Sequence, residues 1–313
     1  MTRAIENERI CSVGLITPIE GNFFFITGEG NGKFPACHGF LLRGRENVLI
    51  DAGIGAKRLC EIDRQFRIDI LLITHSHPDH IRHGFCLSDR HILMPRETPE
   101  SICDLTLLGE RFMGTKKAGI EWAEFVHQEF GVRALRLPDD RFGHGDVLEI
   151  GGCRLEAIHA PGHLNDHYCF LEHNSGTLIT TDIDLTSFGP WCGNPESDFE
   201  TFRESIRRVM SVDHRRVCSS HKAPIEGTGR KSFEKFLNCF DRQKNLVLEL
   251  CSVPSTLDEL AKKSPFYNNT MKYKNVQYLF ERQMISKHLS VLCKEGLVTQ
   301  TDGLYSRAGS GVF

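Results

Sequence analysis

Short apolar segments separated by glycines make up the first quarter of the chain. The segments at 23–27 (FFFIT), 39–44 (GFLLRG) and 46–53 (ENVLIDAG) are rich in aromatic and branched aliphatic residues. Segments of this length and composition predict β-strands. A fourth segment, 68–80 (IDILLITHSHPDH), begins as a buried strand and ends abruptly in polar residues. Polar side chains directly after a buried strand predict a loop at the sheet edge, where functional sites are commonly built.

Helical periodicity and strands alternate through the middle of the chain. From about residue 97 to residue 131, apolar residues recur at spacings of three and four, which predicts helix. Strand patterns return at 146–163 and 168–185, with HNSG (173–176) as a hairpin turn between two strands of the second segment.

A further helix and strand complete this part. The helix is predicted at 199–210 (FETFRESIRRVM), with Ser197 or Asp198 as its N-cap, and a short strand follows at 215–224 (RRVCSSHKAP). Two groups of strands, each followed by helices, predict two sheets covered by helices on their outer faces.

The pattern becomes mainly helical after residue 227. Helices are predicted at 230–250, 256–264 and 274–296, and an Asp-Gly turn joins two short strands within 296–308. Helix, helix, long helix and β-hairpin is the element order of a winged helix. We therefore predict one domain at 1–227 and a small winged-helix-like domain at 228–313.

Composition is ordinary for a globular protein, but charge is unevenly distributed. Of 313 residues, 40% are hydrophobic and 25% charged, and the formal net charge is −3, which gives no general reason to expect a nucleic-acid partner. From Thr228 onward there are 13 Lys and Arg against 8 Asp and Glu, so this basic tail follows an acidic body. Such a tail fits an anionic partner, although a solvated surface explains it equally well and is the interpretation we favour.

The sequence contains no signal of secretion or membrane insertion. The 12 cysteines are scattered without any C-x-x-C pair, the first residues contain two glutamates and no apolar core, and the apolar runs are far too short to span a bilayer. We therefore expect a cytoplasmic protein with reduced thiols and no membrane partner.

Four ligand-type side chains lie within six residues in the run His75-Ser76-His77-Pro78-Asp79-His80. Imidazole and carboxylate are the usual protein ligands of zinc and of other borderline divalent metals. A short loop cannot direct all four groups to one tetrahedral ion, but it can serve two adjacent ions. The clustering at a strand end makes a purely structural role for these residues improbable.

Three more segments have the same construction, a strand followed by a turn that carries a ligand-type residue. They are Pro161-Gly162-His163, Thr180-Thr181-Asp182 and Ser219-Ser220-His221. Each is weak evidence alone, but the complete set in this order is specific.

These motifs resemble those of the metallo-β-lactamase superfamily over roughly residues 20–225. The matching segments are VLIDAG (48–53), THSHPDH (74–80), GDVLEIGG (145–152), APGH (160–163), ITTD (179–182) and SSH (219–221). The resemblance implies an α/β fold, an αββα sandwich with metals at the sheet edge. The tail resembles, more weakly, the lactamase-like subfamily with a C-terminal winged-helix-like domain, which includes endoribonucleases and hydrolases of acyl thioesters.

The resemblance also implies how the seven side chains are divided between two metal ions. His75, His77 and His163 would bind the first, Asp79, His80 and His221 the second, and Asp182 would bridge them. Asp51 would orient a ligand from behind.

The ligand set also indicates how the site would act. Two ions a few Å apart can share a water and lower its pKa enough to give hydroxide near neutral pH. Asp79 and Asp182 are therefore the expected catalytic residues as well as ligands. The cysteines are expected to be structural.

Two departures from the family pattern narrow the activity. An Asp at position 182 argues against an antibiotic-hydrolysing lactamase, because resembling enzymes usually have Cys there. Asp166 and His167 replace the Thr-x-Gly-His of glyoxalase-like members, and we expect His167 to support the site rather than bind metal. Phe188 and Trp191 could line the substrate pocket or belong to the core.

We therefore expect a hydrolase with two divalent metal ions, zinc first, with iron and manganese as alternatives. An acyl thioester, glyoxalase II-like or linked to coenzyme A, is the preferred small-molecule substrate. A single-strand endoribonuclease is the first alternative. A mononuclear iron persulfide dioxygenase, in which His80 and His221 would not bind metal, is the second.

A non-catalytic DNA-binding metal sensor is the alternative from another class. It would direct Lys287, His288 and Lys294 to phosphate, yet the last predicted helix has no basic stripe, since Glu281 and Glu295 interrupt it. We favour a tail that packs over the metal cleft. The oligomeric state is open, and a homodimer is compatible with the sequence.

Overall fold

Two β-sheets lie face to face at the centre of the protein, as shown by a computed structural model that describes residues 15–309. The first sheet has strand order β1-β2-β3-β4-β5-β6-β7, and the second has order β13-β12-β11-β10-β9-β8. Strands β4 to β7 pair in parallel, as do β11 and β12, whereas the other pairs are antiparallel. The first-sheet strands are β1 Ile16–Glu20, β2 Phe23–Ile26, β3 Gly39–Arg43, β4 Asn47–Ile50, β5 Ile70–Leu72, β6 His91–Pro95 and β7 Asp140–Phe142. The second-sheet strands are β8 Val147–Ile150, β9 Cys153–His159, β10 Tyr168–Glu172, β11 Thr177–Thr181, β12 Arg216–Ser219 and β13 Ile225–Glu226.

Helices cover the outer faces of both sheets, and a helical region with a hairpin ends the chain. The α-helices are α1 Ala56–Phe66, α2 Pro78–Ile81, α3 Leu105–Met113, α4 Lys116–Phe130, α5 Phe199–Met210, α6 Arg230–Leu250, α7 Leu257–Lys262 and α8 Lys274–Lys294. Short 3-10 turns occur at Glu29–Asn31, Gly84–Leu87 and Glu100–Cys103. The closing hairpin consists of β14 Val298–Thr301 and β15 Leu304–Arg307.

The alternation of side chains along β2 shows how the layers form. Phe23 and Phe25 pack between the two sheets, whereas Phe24 and Ile26 pack beneath the helices of the first sheet. All four are buried, because successive strand residues point to opposite faces and both faces of this sheet are covered. The expected αββα sandwich is thus confirmed.

Helix α6 links the sandwich to the C-terminal region. Its residues Phe233, Phe236 and Phe240 pack with α5 on the outer face of the second sheet. Val247, near the other end of α6, joins a separate apolar cluster formed with α7, α8 and β14. The order of elements in the tail is the predicted one, but α6 contributes to both cores, and the division at residue 227 remains a prediction.

The last helix, α8, lies against the sandwich. Gln283 donates from its side-chain amide to the carbonyl oxygen of Phe112 (3.1 Å), and the Lys287 ammonium group donates to the carbonyl oxygens of Pro195 (2.7 Å) and Ser197 (2.8 Å).

Two of the three side chains proposed for a nucleic-acid contact are therefore engaged within the protein. Lys287 is bound to the body as described, and His288 is buried against Phe199 and Phe266. Lys294 alone of the three is exposed.

Among residues 15–309, no helix has the length and apolar character needed to cross a membrane. The 11 cysteines in the same range are all free thiols.

Candidate metal centre

The seven predicted ligand side chains come together where the two sheets meet at one edge. Four of them follow β5, and one each follows β9, β11 and β12: His75, His77, Asp79, His80, His163, Asp182 and His221. The positions are distant in sequence, but the carboxyl ends of these strands meet at the same edge, so each short post-strand turn delivers its ligand to one place.

Three histidines and one carboxylate oxygen form the first group. Nδ1 of His77 lies 3.2 Å from Nε2 of His75 and 2.8 Å from Nε2 of His163. Oδ2 of Asp182 lies 3.1 Å from the same His163 nitrogen and 3.5 Å from the same His75 nitrogen. These four donor atoms surround a single point.

The second group uses the other oxygen of the same carboxylate. Oδ1 of Asp182 lies 3.0 Å from Nε2 of His80 and 3.5 Å from Nε2 of His221. Oδ2 of Asp79 lies 3.4 Å from that His221 nitrogen. The two oxygens of Asp182 thus face different sets of imidazole nitrogens, an arrangement that suits a carboxylate shared by two cations.

Hydrogen bonds behind the ligands fix which nitrogen of each ring faces inward. Asp51 accepts from Nδ1 of His80 (2.7 Å) and from the Thr74 hydroxyl (2.8 Å) and backbone N–H (2.9 Å). Because the only hydroxyl proton of Thr74 points to Asp51, its oxygen accepts from Nδ1 of His75 (3.1 Å). In both histidines Nε2 is therefore the nitrogen directed into the site.

His163 and His221 are fixed in the same manner by backbone carbonyls. Nδ1 of His163 donates to the carbonyl oxygen of Trp191 (2.8 Å), and Nδ1 of His221 donates to that of Gly32 (2.6 Å). In the remaining histidine, His77, Nδ1 faces inward and Nε2 lies 2.7 Å from the side-chain amide of Asn194. With a cation on Nδ1, the amide would present its oxygen to the Nε2 proton.

The donor atoms fit divalent metal ions. Nε2 of His80 and Oδ1 of Asp182 are buried and have no hydrogen-bond partner among the described residues, although such atoms are normally paired. Burial lowers the pKa of His77 to about 3 and that of His75 well below its usual range, so both are neutral at pH 7 and offer lone pairs. A cation at each group would satisfy atoms that otherwise repel one another.

Asp182 is ionised despite its surroundings. Burial alone would raise its pKa, but the interactions with the surrounding imidazoles, that of His80 first, outweigh burial and hold the pKa well below its usual range. This carboxylate is therefore available as an anionic ligand at neutral pH.

Backbone constraints explain two glycines of the site. A Cβ at Gly53 would lie 1.5 Å from the carbonyl oxygen of Asp79, so only glycine allows this approach of β4 to the ligand loop. Gly162, immediately before His163, has φ +111° and its Cβ would lie 2.3 Å from the backbone nitrogen of Phe202.

His167 supports the site in the expected way. Its Nδ1 donates to the carbonyl oxygen of Ala160 (2.7 Å), and its Nε2 accepts from the backbone N–H of Asp182 (3.2 Å). It stabilises the turn that carries Asp182 and is absent from both groups of converging donor atoms.

Arg111 forms an ion-pair network that the sequence did not reveal. Its guanidinium donates to Oγ of Ser76 (2.5 Å) and to Asp166 (2.9 Å), and it forms an ion pair with Glu196 (2.7 Å). Asp166 is fully buried and also accepts from the Thr98 hydroxyl (3.1 Å). Because Ser76 lies between two of the predicted ligands, His75 and His77, the network fixes this loop from α3.

Cys37 and Asn194 were also missed. Cys37 lies in a buried group with Asp51 and His80. Burial, and to a smaller extent the nearby carboxylates, raise the pKa of its thiol well above the usual range, so the thiol is neutral. Neither residue belongs to a ligand motif, and a lone Cys or Asn carries no sequence signal of this role.

The two aromatic residues that follow Asp182, Phe188 and Trp191, pack in different places. Trp191 lies against the rings of His77 (5.6 Å between centroids) and His163 (6.1 Å), so it borders the first group. Phe188 packs instead against Tyr267 of the C-terminal region (4.8 Å).

Comparison with known proteins agrees with this geometry. Residues 34–221 match the family model described as the metallo-beta-lactamase superfamily. The chain is 27% identical over 171 residues to a hydroxyacylglutathione hydrolase of Haemophilus influenzae, a match that covers 52% of this chain and 73% of that protein. It is 26% identical over 219 residues to an atrochrysone carboxyl ACP thioesterase of Aspergillus fumigatus, covering 67% of this chain but only 58% of that protein.

Solved structures share the fold over most of the chain. A metallo-beta-lactamase family protein from Thermus thermophilus superposes with a TM-score of 0.69 at 21% identity, covering 87% of this chain and 93% of that one. A beta-lactamase domain protein from Burkholderia ambifaria gives a TM-score of 0.64 at 18% identity, covering 94% and 93%.

Proposed function

The chain belongs to the metallo-beta-lactamase superfamily, and we propose that it is a dinuclear metal-dependent hydrolase of acyl thioesters. The observation that carries this proposal is the placement of Asp182. Its Oδ2 faces His75, His77 and His163, and its Oδ1 faces His80 and His221. A single ion would leave one of these groups of buried donors unsatisfied.

The proposal gives each side chain a role. His75, His77 and His163 would hold one ion, Asp79, His80 and His221 the other, and Asp182 both. When bound, such ions supply Lewis acidity and lower the pKa of a water molecule. We assign Asp79 and Asp182 as catalytic, because their carboxylate oxygens lie among the converging nitrogens and can accept a hydrogen bond from the attacking water. Zinc fits the nitrogen-rich donor set best, with iron and manganese as alternatives.

Two relatives support the choice of thioesters. One is named a hydroxyacylglutathione hydrolase and the other an acyl carrier protein thioesterase, and both names describe cleavage of an acyl–sulfur bond. Their identities to this chain are low, so the substrate needs a direct test.

The test is a side-by-side assay of metal-quantified protein on acyl-CoA, on a glutathione thioester and on a labelled single-stranded RNA. Asp182→Ala removes the shared carboxylate, and Asp89→Ala, at an exposed surface carboxylate, is the matched control. We expect thioester turnover that Asp182→Ala abolishes and Asp89→Ala preserves, with the RNA intact. Cleavage of RNA alone, again lost only in Asp182→Ala, would replace the thioesterase by the ribonuclease.

A further inference from the structure

The segment between α7 and α8 has an unusual backbone. Within residues 264–270, here called the Tyr267 loop, Ser264 (φ 49°), Asn268 (φ 48°) and Asn269 (φ 57°) all adopt the left-handed conformation. This conformation is unfavourable for residues with a side chain, especially for Ser264, and persists where the surroundings enforce it.

A buried carboxylate of α8 enforces it. Glu281 is fully buried and accepts hydrogen bonds from the Ser264 hydroxyl (2.8 Å) and from the backbone N–H groups of Phe266 (3.0 Å) and Tyr267 (2.7 Å). Gln277, one turn earlier, donates to the side-chain oxygen of Asn269 (3.0 Å). Two buried polar side chains of one helix thus hold the Tyr267 loop in place.

The loop places the Tyr267 ring between the C-terminal region and the metal centre. The ring packs on Phe188 (4.8 Å between centroids) and lies 6.2 Å from Phe280. Phe280 in turn contacts Trp191 (5.3 Å), which borders His77. A continuous aromatic wall therefore runs from the ligands to Tyr267.

The phenol of Tyr267 keeps its proton. Burial raises its pKa, and the carboxylates of Glu281, Asp184 and Asp79 raise it further. The half-buried neutral phenol is therefore able to donate a hydrogen bond.

The same residue lines an open cleft of about 730 Å³. It runs between the Tyr267 loop, the segment at Ser187 and Phe188, and α6. Its polar lining includes the side-chain amides of Asn245 and Asn268. Arg242 and Gln243 also line it, and their side chains donate to backbone carbonyls of Ser187 and Phe188. Such groups pair well with the amide bonds and charges of a peptide-like thiol arm.

We propose that Tyr267 is a substrate-binding residue, which donates a hydrogen bond to the thiol arm of a thioester where the arm passes from the metal centre into the cleft. The inference rests on the proposed thioesterase function. It assigns to the C-terminal region a direct part in substrate recognition, and it favours substrates whose leaving thiol carries amides, as pantetheine and glutathione do. Glu281 acts through Tyr267 and is a positioning residue.

Tyr267→Phe tests the proposal, because it removes the hydroxyl and keeps the ring that packs on Phe188. Tyr278→Phe, in the apolar cluster of the C-terminal region, is the matched control. Activity on acyl-pantetheine, metal content and thermal melting are measured for both variants, together with the binding of free pantetheine by calorimetry. We expect Tyr267→Phe to lower kcat/KM and pantetheine affinity by about tenfold, the effect of one lost hydrogen bond, with metal content and melting temperature unchanged.

The outcomes separate this inference from the proposed function. An active wild type with Tyr267→Phe equal to it in kcat/KM and in pantetheine binding would overturn the role of Tyr267 and leave the thioesterase standing. A wild type inactive on every thioester would overturn the thioesterase function, and the calorimetry would then decide the role of Tyr267. That role is overturned if the wild type does not bind pantetheine, or if Tyr267→Phe binds pantetheine as tightly as the wild type.

Discussion

Replacing Asp51 by Asn changes the protonation pattern of the metal centre without changing its shape. Asp51 is fully buried, and its Oδ2 accepts from both Nδ1 of His80 and the Thr74 hydroxyl. Its Oδ1 accepts the Thr74 backbone N–H. In the Asp51→Asn side chain, the amide oxygen can still accept the Thr74 backbone N–H, as Oδ1 does now. The NH₂ group then takes the place of Oδ2 and faces two hydrogen-bond donors, Nδ1 of His80 and the Thr74 hydroxyl.

The clash between donors at His80 is relieved when the His80 ring changes its tautomer. If the amide donates to Nδ1, the histidine proton moves to Nε2, which is the nitrogen that faces Asp182 at 3.0 Å. A protonated Nε2 cannot bind a cation. Loss of such an orienting partner typically weakens metal binding by about 10- to 100-fold, which corresponds to roughly 1.4–2.7 kcal/mol. The first group, built on His75, His77 and His163, is connected to Asp51 only through the Thr74 hydroxyl beside His75, and it should be affected less.

The assay is a chelator competition followed by quantification of metal per chain. We expect Asp51→Asn to release one ion at about 10- to 100-fold lower chelator concentration than the wild type, while the other ion is released nearly as before. Asp139→Asn is the control, because Asp139 also accepts a backbone N–H, from Ile92 (2.7 Å), but lies outside the site. Equal chelator resistance of both ions in wild type and Asp51→Asn would refute the reasoning about His80.

Two further substitutions test the support of the ligand loop. Arg111→Met leaves buried Asp166 without its cation and should lower the free energy of unfolding, measured by denaturant titration, by roughly 3 kcal/mol. The control Arg154→Met, at an exposed ion pair, should change it by less than about 1 kcal/mol. Equal effects of the two substitutions would refute this account. Gly53→Ala forces its Cβ against the carbonyl oxygen of Asp79 and should reduce bound metal and melting temperature together, so retention of full metal content would contradict the close approach.

The ligand motifs and the strands that carry them were predictable because their signals are local. Each predicted ligand follows a strand within eight positions: Asp182 comes one position after β11, and His80 comes eight positions after β5. Strands β5 and β11 are buried along their whole length, whereas β9 alternates, and the predicted HNSG turn at 173–176 joins β10 to β11. Asp198, rather than Ser197, is the cap of α5, since it accepts from the Thr201 backbone N–H.

Elements with mixed patterns were missed. Strand β1 carries Pro18 and is largely exposed, β7 has three residues and β13 two, so none shows a clear alternation. Strand β6 and helix α1 also went unrecognised, although β6 is largely buried and α1 has a buried face.

The supporting residues of the site could not have been predicted from local signals. Arg111 meets Ser76 across 35 positions, and Asn194 meets His77 across 117. Tyr267 is held by Glu281, a residue that in sequence only interrupts the basic residues of the last predicted helix. Such contacts depend on how the layers and the tail pack together, and local patterns in one sequence do not reveal this packing.

The number and identity of metal ions per chain test the central claim most directly. The protein is reconstituted with zinc or iron, freed of loosely bound metal, and its metal content is measured beside that of Asp182→Ala and the control Asp89→Ala. The account predicts two ions per chain in the wild type and in Asp89→Ala, with zinc supporting thioester turnover, and a marked loss in Asp182→Ala. One iron per chain that is unaffected by substitution of His80 or His221 would contradict the dinuclear site and favour the mononuclear iron dioxygenase.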